Sequence, residues 1–259
     1  MKNTLLLALV IIPLSCTTPD KNNKEQSIVV EIFSPEENGY KLVWEDNFDG
    51  DKLDTAKWRI RGVGPRRIGY NDTSMVAVSD GNLLLMYDIK KDSILGSAVG
   101  TGQTFLTKYG YFECRAQLQK SIGPWSAFWI QSPNISGGED PSVYGAEIDI
   151  FEYFKELGND NLTHCIHWAY GDNPQSSGQM NSTHEGLDEG FHTFGLEWTE
   201  KSYNFYIDGK KYHEQSKGIS NVEEYMILSM ELPPYLEGIK NACAPDTFKV
   251  DYVKVFKKQ

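Results

Sequence analysis

The chain is poor in cysteine, histidine, arginine and long apolar runs, and each shortage excludes something. It has four Cys in 259 residues. Setting Cys16 aside leaves Cys114, Cys165 and Cys243, an odd number that argues against a disulfide framework. Five His are scattered so that no Cys/His spacing suggests zinc. Lys and Arg total 25 against 36 Asp and Glu, giving a net charge of -11. That balance argues against nucleic acid or an anionic membrane surface as the main partner. The one sustained apolar run, Leu5 to Leu14, is too short to span a bilayer. No segment repeats apolar residues at a long 3.6-residue period, so a helical fold is not expected.

What is present is a set of short strand-like runs. They cover 40–46, 83–89, 109–118, 125–131, 146–152, 163–168, 192–198, 203–208, 225–231 and 248–256. Turn signals such as Asp80-Gly81-Asn82 and Asp208-Gly209 separate them. Many short strands without helices predict an all-β fold, a two-sheet antiparallel β-sandwich in one domain. In the run from Phe112 to Leu118 the even positions are apolar, so Cys114 reads as a small buried hydrophobe. The N-terminus reads differently. Lys2, the apolar run and Ser15-Cys16 resemble a bacterial lipoprotein signal. The expected organisation is a signal peptide over 1–15, a lipidated flexible tether over 16–38 beginning at Cys16, and a folded domain over 39–259. The corresponding location is the cell envelope, on the outer membrane or cell surface of a Gram-negative bacterium, with the lipid anchor as the only membrane contact and a monomeric state.

The stretch Glu147-Ile148-Asp149-Ile150-Phe151-Glu152 sets three carboxylates among apolar residues. Period-two alternation places Glu147 and Asp149 on one wet face and the two Ile in the core. Glu152 falls at an odd offset from Glu147, so a regular strand would bury it at a cost of several kcal/mol. One extra residue near Ile150-Phe151 returns it to the wet face, which predicts a β-bulge. On the run 125–131, Trp125, Ala127 and Trp129 share a face. If both strands belong to one sheet, Trp and carboxylates line one surface, a composition suited to sugars. Paired carboxylates about 5–5.5 Å apart support retaining glycoside hydrolysis, one attacking the anomeric carbon and the other exchanging protons with the leaving oxygen and water. An acidic strand of this kind also suits a cation site or a merely solvated edge.

The same six residues resemble the signature of glycoside hydrolase family 16 in its bulged form. Further likeness lies in Leu42–Gly50 with Leu53–Trp58, in Tyr109–Arg115 followed by Gly123–Trp129, in Phe191–Trp198 with Phe205–Gly209, and in Pro245–Val255. Together they cover roughly 40–257 in the family's order. The resemblance implies a β-jelly roll with an open concave cleft and no catalytic cofactor. It implies that Glu147 is the nucleophile, Asp149 the assisting carboxylate and Glu152 the acid/base. It places Trp125, Trp129, His167 and Trp168 against the substrate, and Asp251 at a structural calcium. The implied activity is endo-acting cleavage of a polysaccharide, foremost a β-1,3- or mixed-linked glucan.

The chain departs from the laminarinase pattern at Ser126, at Tyr144-Gly145-Ala146 and over Arg66–Asp72, which bears on the sugar. Four of the five Arg lie in this region: Arg59, Arg61, Arg66 and Arg67. Arginine suits bidentate binding of sulfate or carboxylate, so Arg66 is a candidate substrate residue. An endo-β-galactanase acting on agar-like, porphyran-like or poly-N-acetyllactosamine chains is the alternative within the fold. A non-catalytic glycan-binding lipoprotein is the alternative outside it.

Overall fold

The computed structural model describes residues 32–91, 93–171 and 173–259. The expected signal peptide, Cys16 and the first part of the tether lie outside the described residues. Two antiparallel sheets face each other, as a β-sandwich requires. In one, the long strand Asp246–Lys258 pairs with Gly110–Gln117 on one side, and with Asn82–Lys90 and then Tyr40–Asp46 on the other. Gly110–Gln117 continues to His192–Trp198, Tyr203–Ile207 and Lys210–Gln215. The second sheet runs Arg59–Ile60, Ser93–Gly100, Tyr225–Glu231, Trp125–Gln131, Ala146–Tyr153, Asn161–Trp168 and Met180–Thr183. The all-β two-sheet sandwich expected from the strand pattern is therefore present, in the jelly-roll form that the resemblance implies.

The core fills the gap between the sheets. Phe151 of the carboxylate strand packs at a tilt on Phe194 of the opposite sheet, ring centroids 4.2 Å apart, and meets Phe248 edge-on at 6.0 Å. Phe112, Cys114, Ala116 and Leu118 are all buried there, as alternation predicts.

Each expected strand is found within a few residues. The strand Ser93–Gly100 was not expected, because its Gly, Ser and Ala residues carry little β-propensity. Smallness is what the position needs: a Cβ on Gly96 would stand 2.9 Å from the Met230 carbonyl oxygen of the neighbouring strand. The domain boundary at 39 also requires correction. Phe33, inside the expected tether, packs on Tyr111 at 4.9 Å and Tyr206 at 4.7 Å, and its amide donates to the Gly209 carbonyl at 2.8 Å. One aromatic among polar residues is enough to fix the chain here.

The predicted bulge is present. Against Trp125–Gln131 the register shifts between Asp149 and Phe151, and against Asn161–Trp168 between Asp149 and Glu152. A bulge leaves backbone groups without ladder partners. Here His164, buried on the inner face, donates from Nδ1 to the Ile150 carbonyl at 2.8 Å. Its Nε2 lies 2.9 Å from the Tyr212 hydroxyl and 3.1 Å from the Ser182 hydroxyl. Burial pushes the imidazole pKa down to about 3, so the ring stays neutral with its proton on Nδ1. Replacing His164 by Leu strands a buried carbonyl, and urea unfolding is expected to show a loss of about 1–3 kcal/mol. A variant as stable as the parent would show that the bulge needs no such support.

Candidate active site

The bulge brings all three carboxylates to one face. Glu147 stands opposite Gln131 on one neighbouring strand and His167 on the other. Asp149 stands between Trp129 and Cys165, and Glu152 between Ala127 and Thr163. They line a cleft with Arg61, Arg66, Arg67, Trp125, Trp129, Gln131, Tyr170 and Glu231.

Each carboxyl has a different environment. Both oxygens of Glu147 accept a hydrogen bond, Oε1 from the Tyr170 hydroxyl and Oε2 from Gln131 Nε2, each at 2.5 Å. That suits an ionised, acceptor-only carboxylate. Burial and the Glu147 charge raise the Tyr170 phenol, which keeps it a donor. The Gln131 amide is itself oriented, because its Oε1 accepts from Arg61 Nη2 at 3.0 Å and from the Tyr225 hydroxyl at 2.7 Å. Glu152 makes one bond, from Trp125 Nε1 to Oε1 at 3.0 Å. Burial pushes its pKa from 4.5 up to about 7; the Trp125 bond and His167 oppose this, while Glu147 and Glu231 add to it. Asp149 is buried, and burial followed by the charges of Glu152 and Glu147 holds its carboxyl well above the usual range. His167 Nε2 lies 3.5 Å from Asp149 Oδ2. The Cys165 thiol, 4.0 Å from Nδ1, raises His167, as do the carboxylates, against the downward pull of burial. One face thus carries an oriented carboxylate and a proton-bearing carboxyl, the division that glycosyl transfer to a carboxylate requires.

The other expected site residues are placed as follows. Trp125 and Trp129 lie in the cleft but are almost covered, because Arg67 sits 4.9 Å over Trp125 and Arg61 5.0 Å over Trp129. The cleft therefore presents guanidinium planes where bare indole rings were expected. Arg66 lines the cleft but is already engaged, its Nε and Nη2 each 3.0 Å from the buried carboxylate of Glu231. Arg67 reaches the same carboxylate at 3.4 Å. Among the described residues Arg61 has no carboxylate partner.

Trp168 requires correction. Strand neighbours point to opposite faces, so with His167 in the cleft Trp168 turns to the other side, where it packs on the core beneath Gly218. Asp251 lies in the closing strand, where its Oδ2 is 2.5 Å from Arg115 Nη1, so a calcium ion there would compete with a guanidinium. Among the described residues, the His and carboxylate groups close enough to gather on a metal are Glu147, Asp149 and His167, with donor atoms within 4.8 Å of one another.

Sequence reasoning missed Gln131, Tyr170, Tyr225 and Glu231, while Arg61 and Arg67 belong to the arginine-rich stretch it singled out. Gln131 shares the parity of Trp125 and Trp129, and Glu231 that of Tyr225, so continued alternation would have found them. Tyr170 escapes that rule because Ala169 at φ 58° ends the strand and turns the next side chain back over Glu147.

Known proteins resemble this chain along most of its length. The family described as "Beta-porphyranase A-D, GH16 domain" matches residues 43–258. Glucan endo-1,3-beta-glucosidase A1 of Niallia circulans is 27% identical over 93% of this chain and 41% of its own length. Keratan-sulfate endo-1,4-beta-galactosidase of Sphingobacterium multivorum is 29% identical over 84% of this chain and 55% of its own. The chain thus spans about half the length of these two relatives. The laminarinase of Flavobacterium sp. UMI-01 superposes with a TM-score of 0.72 at 24% identity, covering 84% of this chain and 100% of that one, which speaks for the fold. With the bulged carboxylate strand, the jelly roll and a match over 43–258 in agreement, the chain belongs to the family described as beta-porphyranase A-D, GH16 domain, and so to glycoside hydrolase family 16.

Proposed function

We propose that the protein is an endo-acting, retaining glycoside hydrolase that cleaves β-glycosidic bonds within a polysaccharide. The observation that carries this reading is the contrast on one strand between Glu147, with a donor on each oxygen, and Glu152, half-buried and proton-bearing. Glu147 attacks the anomeric carbon, and Glu152 protonates the leaving oxygen. Glu152 then takes a proton from the water that releases the glycosyl-enzyme. Asp149, kept protonated between them, supplies a hydrogen-bond donor rather than a third negative charge. His167 borders Asp149, its Nε2 3.5 Å from Oδ2.

A β-1,3- or mixed-linked glucan is the first substrate class. The glucanase among the relatives supports it, as does the fold shared with a laminarinase. A specific observation favours a second reading, an endo-β-galactanase on a sulfated or otherwise acidic chain. Among the described residues Arg61 faces the cleft without a carboxylate partner, and Arg66 and Arg67 share one. The description of the matching family and the keratan-sulfate relative support this reading too. The apolar run before Cys16 supports placing the enzyme on a bacterial surface as a monomeric lipoprotein that trims polymers outside the cell.

A product profile on laminarin, barley glucan, agarose, porphyran and mucin-type glycans tests the function and chooses the substrate. Cleavage of none would overturn the reading, and a first product of inverted anomeric form, seen by NMR, would reject retention. Glu147→Ala is expected to abolish turnover, and Glu152→Ala to lower kcat by on the order of 10²–10⁴. Tyr170→Phe removes a bond to a charged group and is expected to cost about 1.5–3 kcal/mol in kcat/KM. If an acidic galactan is the substrate, Arg61→Ala impairs cleavage of the sulfated polymer more than of its desulfated form.

The pH dependence follows from Glu152. A general acid must hold its proton, so kcat/KM is expected to fall as pH rises through about 7. The Trp125 bond favours the ionised form, so Trp125→Phe moves this alkaline limb upward. A carboxyl pKa raised on folding lowers stability as pH rises from 4.5 to about 7. Glu152→Gln is therefore expected to gain in melting temperature over the parent across that window, and a constant difference would contradict the assignment.

A further inference from the structure

Glu224 has no part in the chemistry above, yet it is only 1% exposed. It lies one residue ahead of Tyr225–Glu231, where its backbone bridges to Thr107 through two bonds of 2.9 Å. Its side chain turns to the start of the carboxylate strand. Oε1 accepts from the amide of Ala146 at 2.8 Å, the residue before Glu147. This is the point at which the neighbouring strand Trp125–Gln131 has ended. The Ala146 carbonyl accepts from Ser132 N at 2.9 Å, and Ser132 Oγ donates to the Tyr144 carbonyl at 2.7 Å. The fit is close. Gly145 sits at φ 80°, and a Cβ there would lie 2.2 Å from Ser132 Cβ and 2.7 Å from Glu224 Oε1. Among the described residues the other oxygen, Oε2, is buried with no partner at hydrogen-bond distance, though the Ser220 side chain is near enough to the carboxyl to oppose the rise in its pKa.

A buried carboxyl with one bonded oxygen is costly to maintain. Structure alone gives no need for it, since a backbone carbonyl or an Asn would satisfy the same amide. We propose that Glu224 is a positioning residue for the nucleophile: by pinning the Ala146 amide it sets where the strand delivers Glu147 between Gln131 and Tyr170. This rests on reading Glu147 as the nucleophile. Both partners of Glu147 are held at 2.5 Å, and a shift of its backbone by a fraction of an ångström would break one of them.

Burial pushes the Glu224 pKa up to about 8; the Ser220 hydroxyl and the Ala146 amide oppose this, and the Glu147 charge adds to it. The titratable groups facing it are Glu147 on the carboxylate strand and Tyr203 on the opposite sheet, with Glu223 beside it in the chain. The carboxyl is therefore neutral at ordinary pH, and Gln is its close mimic. Because folding raises this pKa, the folded state retains a proton that the unfolded chain releases between 4.5 and about 8. Stability falls with pH across that window relative to a variant that cannot titrate.

The test compares Glu224→Ala and Glu224→Gln with the parent in the full chain. Glu224→Ala is expected to lower kcat about ten- to a hundredfold with little change in KM, and Glu224→Gln to restore most of it at pH 6. The melting-temperature gain of Glu224→Gln over the parent widens from pH 5 to pH 8 and then levels. Hydrogen exchange gives a readout independent of turnover: protection of the Ala146 amide drops in Glu224→Ala and is kept in Glu224→Gln. Parental kcat in Glu224→Ala, or a Gln variant no better than Ala, would overturn the proposal. If the parent cleaves no polymer, the nucleophile reading fails by itself, and equal Ala146 protection in all three proteins would then overturn the anchoring role.

Discussion

The structure turns on one break in a period of two. A strand shows alternate side chains to alternate faces, and the carboxylate strand obeys this from Ala146 to Asp149. One residue is then inserted, and the alternation restarts in the opposite phase. Phe151 drops into the core against Phe194, while Glu152 rises into the cleft beside Glu147 and Asp149. The insertion frees a carbonyl, and a neutral, buried His164 receives it. Remove the bulge and the sandwich either buries a carboxyl or exposes a phenylalanine.

The same local geometry gives three similar side chains three different states. Glu147 meets two donors, Glu152 meets one, and Asp149 meets a histidine at the edge of hydrogen-bond reach. Burial raises Asp149 and Glu152, and the charge on Glu147 adds to both. The Glu147 charge adds to what burial does to Glu152, so neither carboxyl's state is a property of one residue. Gln131 extends this outward: its amide cannot turn, because Arg61 and Tyr225 hold the oxygen end.

Much of the fold was legible because alternation is a local signal. Ten strands follow from short apolar runs between turn signals, and the bulge and the buried role of Cys114 from residue parity. The strand Ser93–Gly100 did not show itself, since close approach to a neighbour selects small residues that carry no strand signature. The site divided along the same line. Glu147, Asp149 and Glu152 were readable, and Trp168 was misplaced only where parity was set aside in favour of resemblance. The arginine partners could not be read, because Glu231 is 164 residues from Arg67 in sequence and nothing local announces the pair. The Arg115 partner of Asp251, 136 residues away in sequence, was equally hidden.

The hairpin Gly64–Arg66 with Gly69–Asn71 brings Arg66 and Arg67 to the cleft from outside the strand that bears the carboxylates. Its tip, Arg67, holds a left-handed backbone at φ 53° while its guanidinium lies on Trp125 and reaches Glu231. The guanidiniums over the cleft and the carboxylates beneath them therefore come from separate stretches of chain. A change of hairpin length or charge would alter the charge above the cleft while the carboxylate strand, its bulge and its histidine stay in place, so the two halves of the site can vary independently.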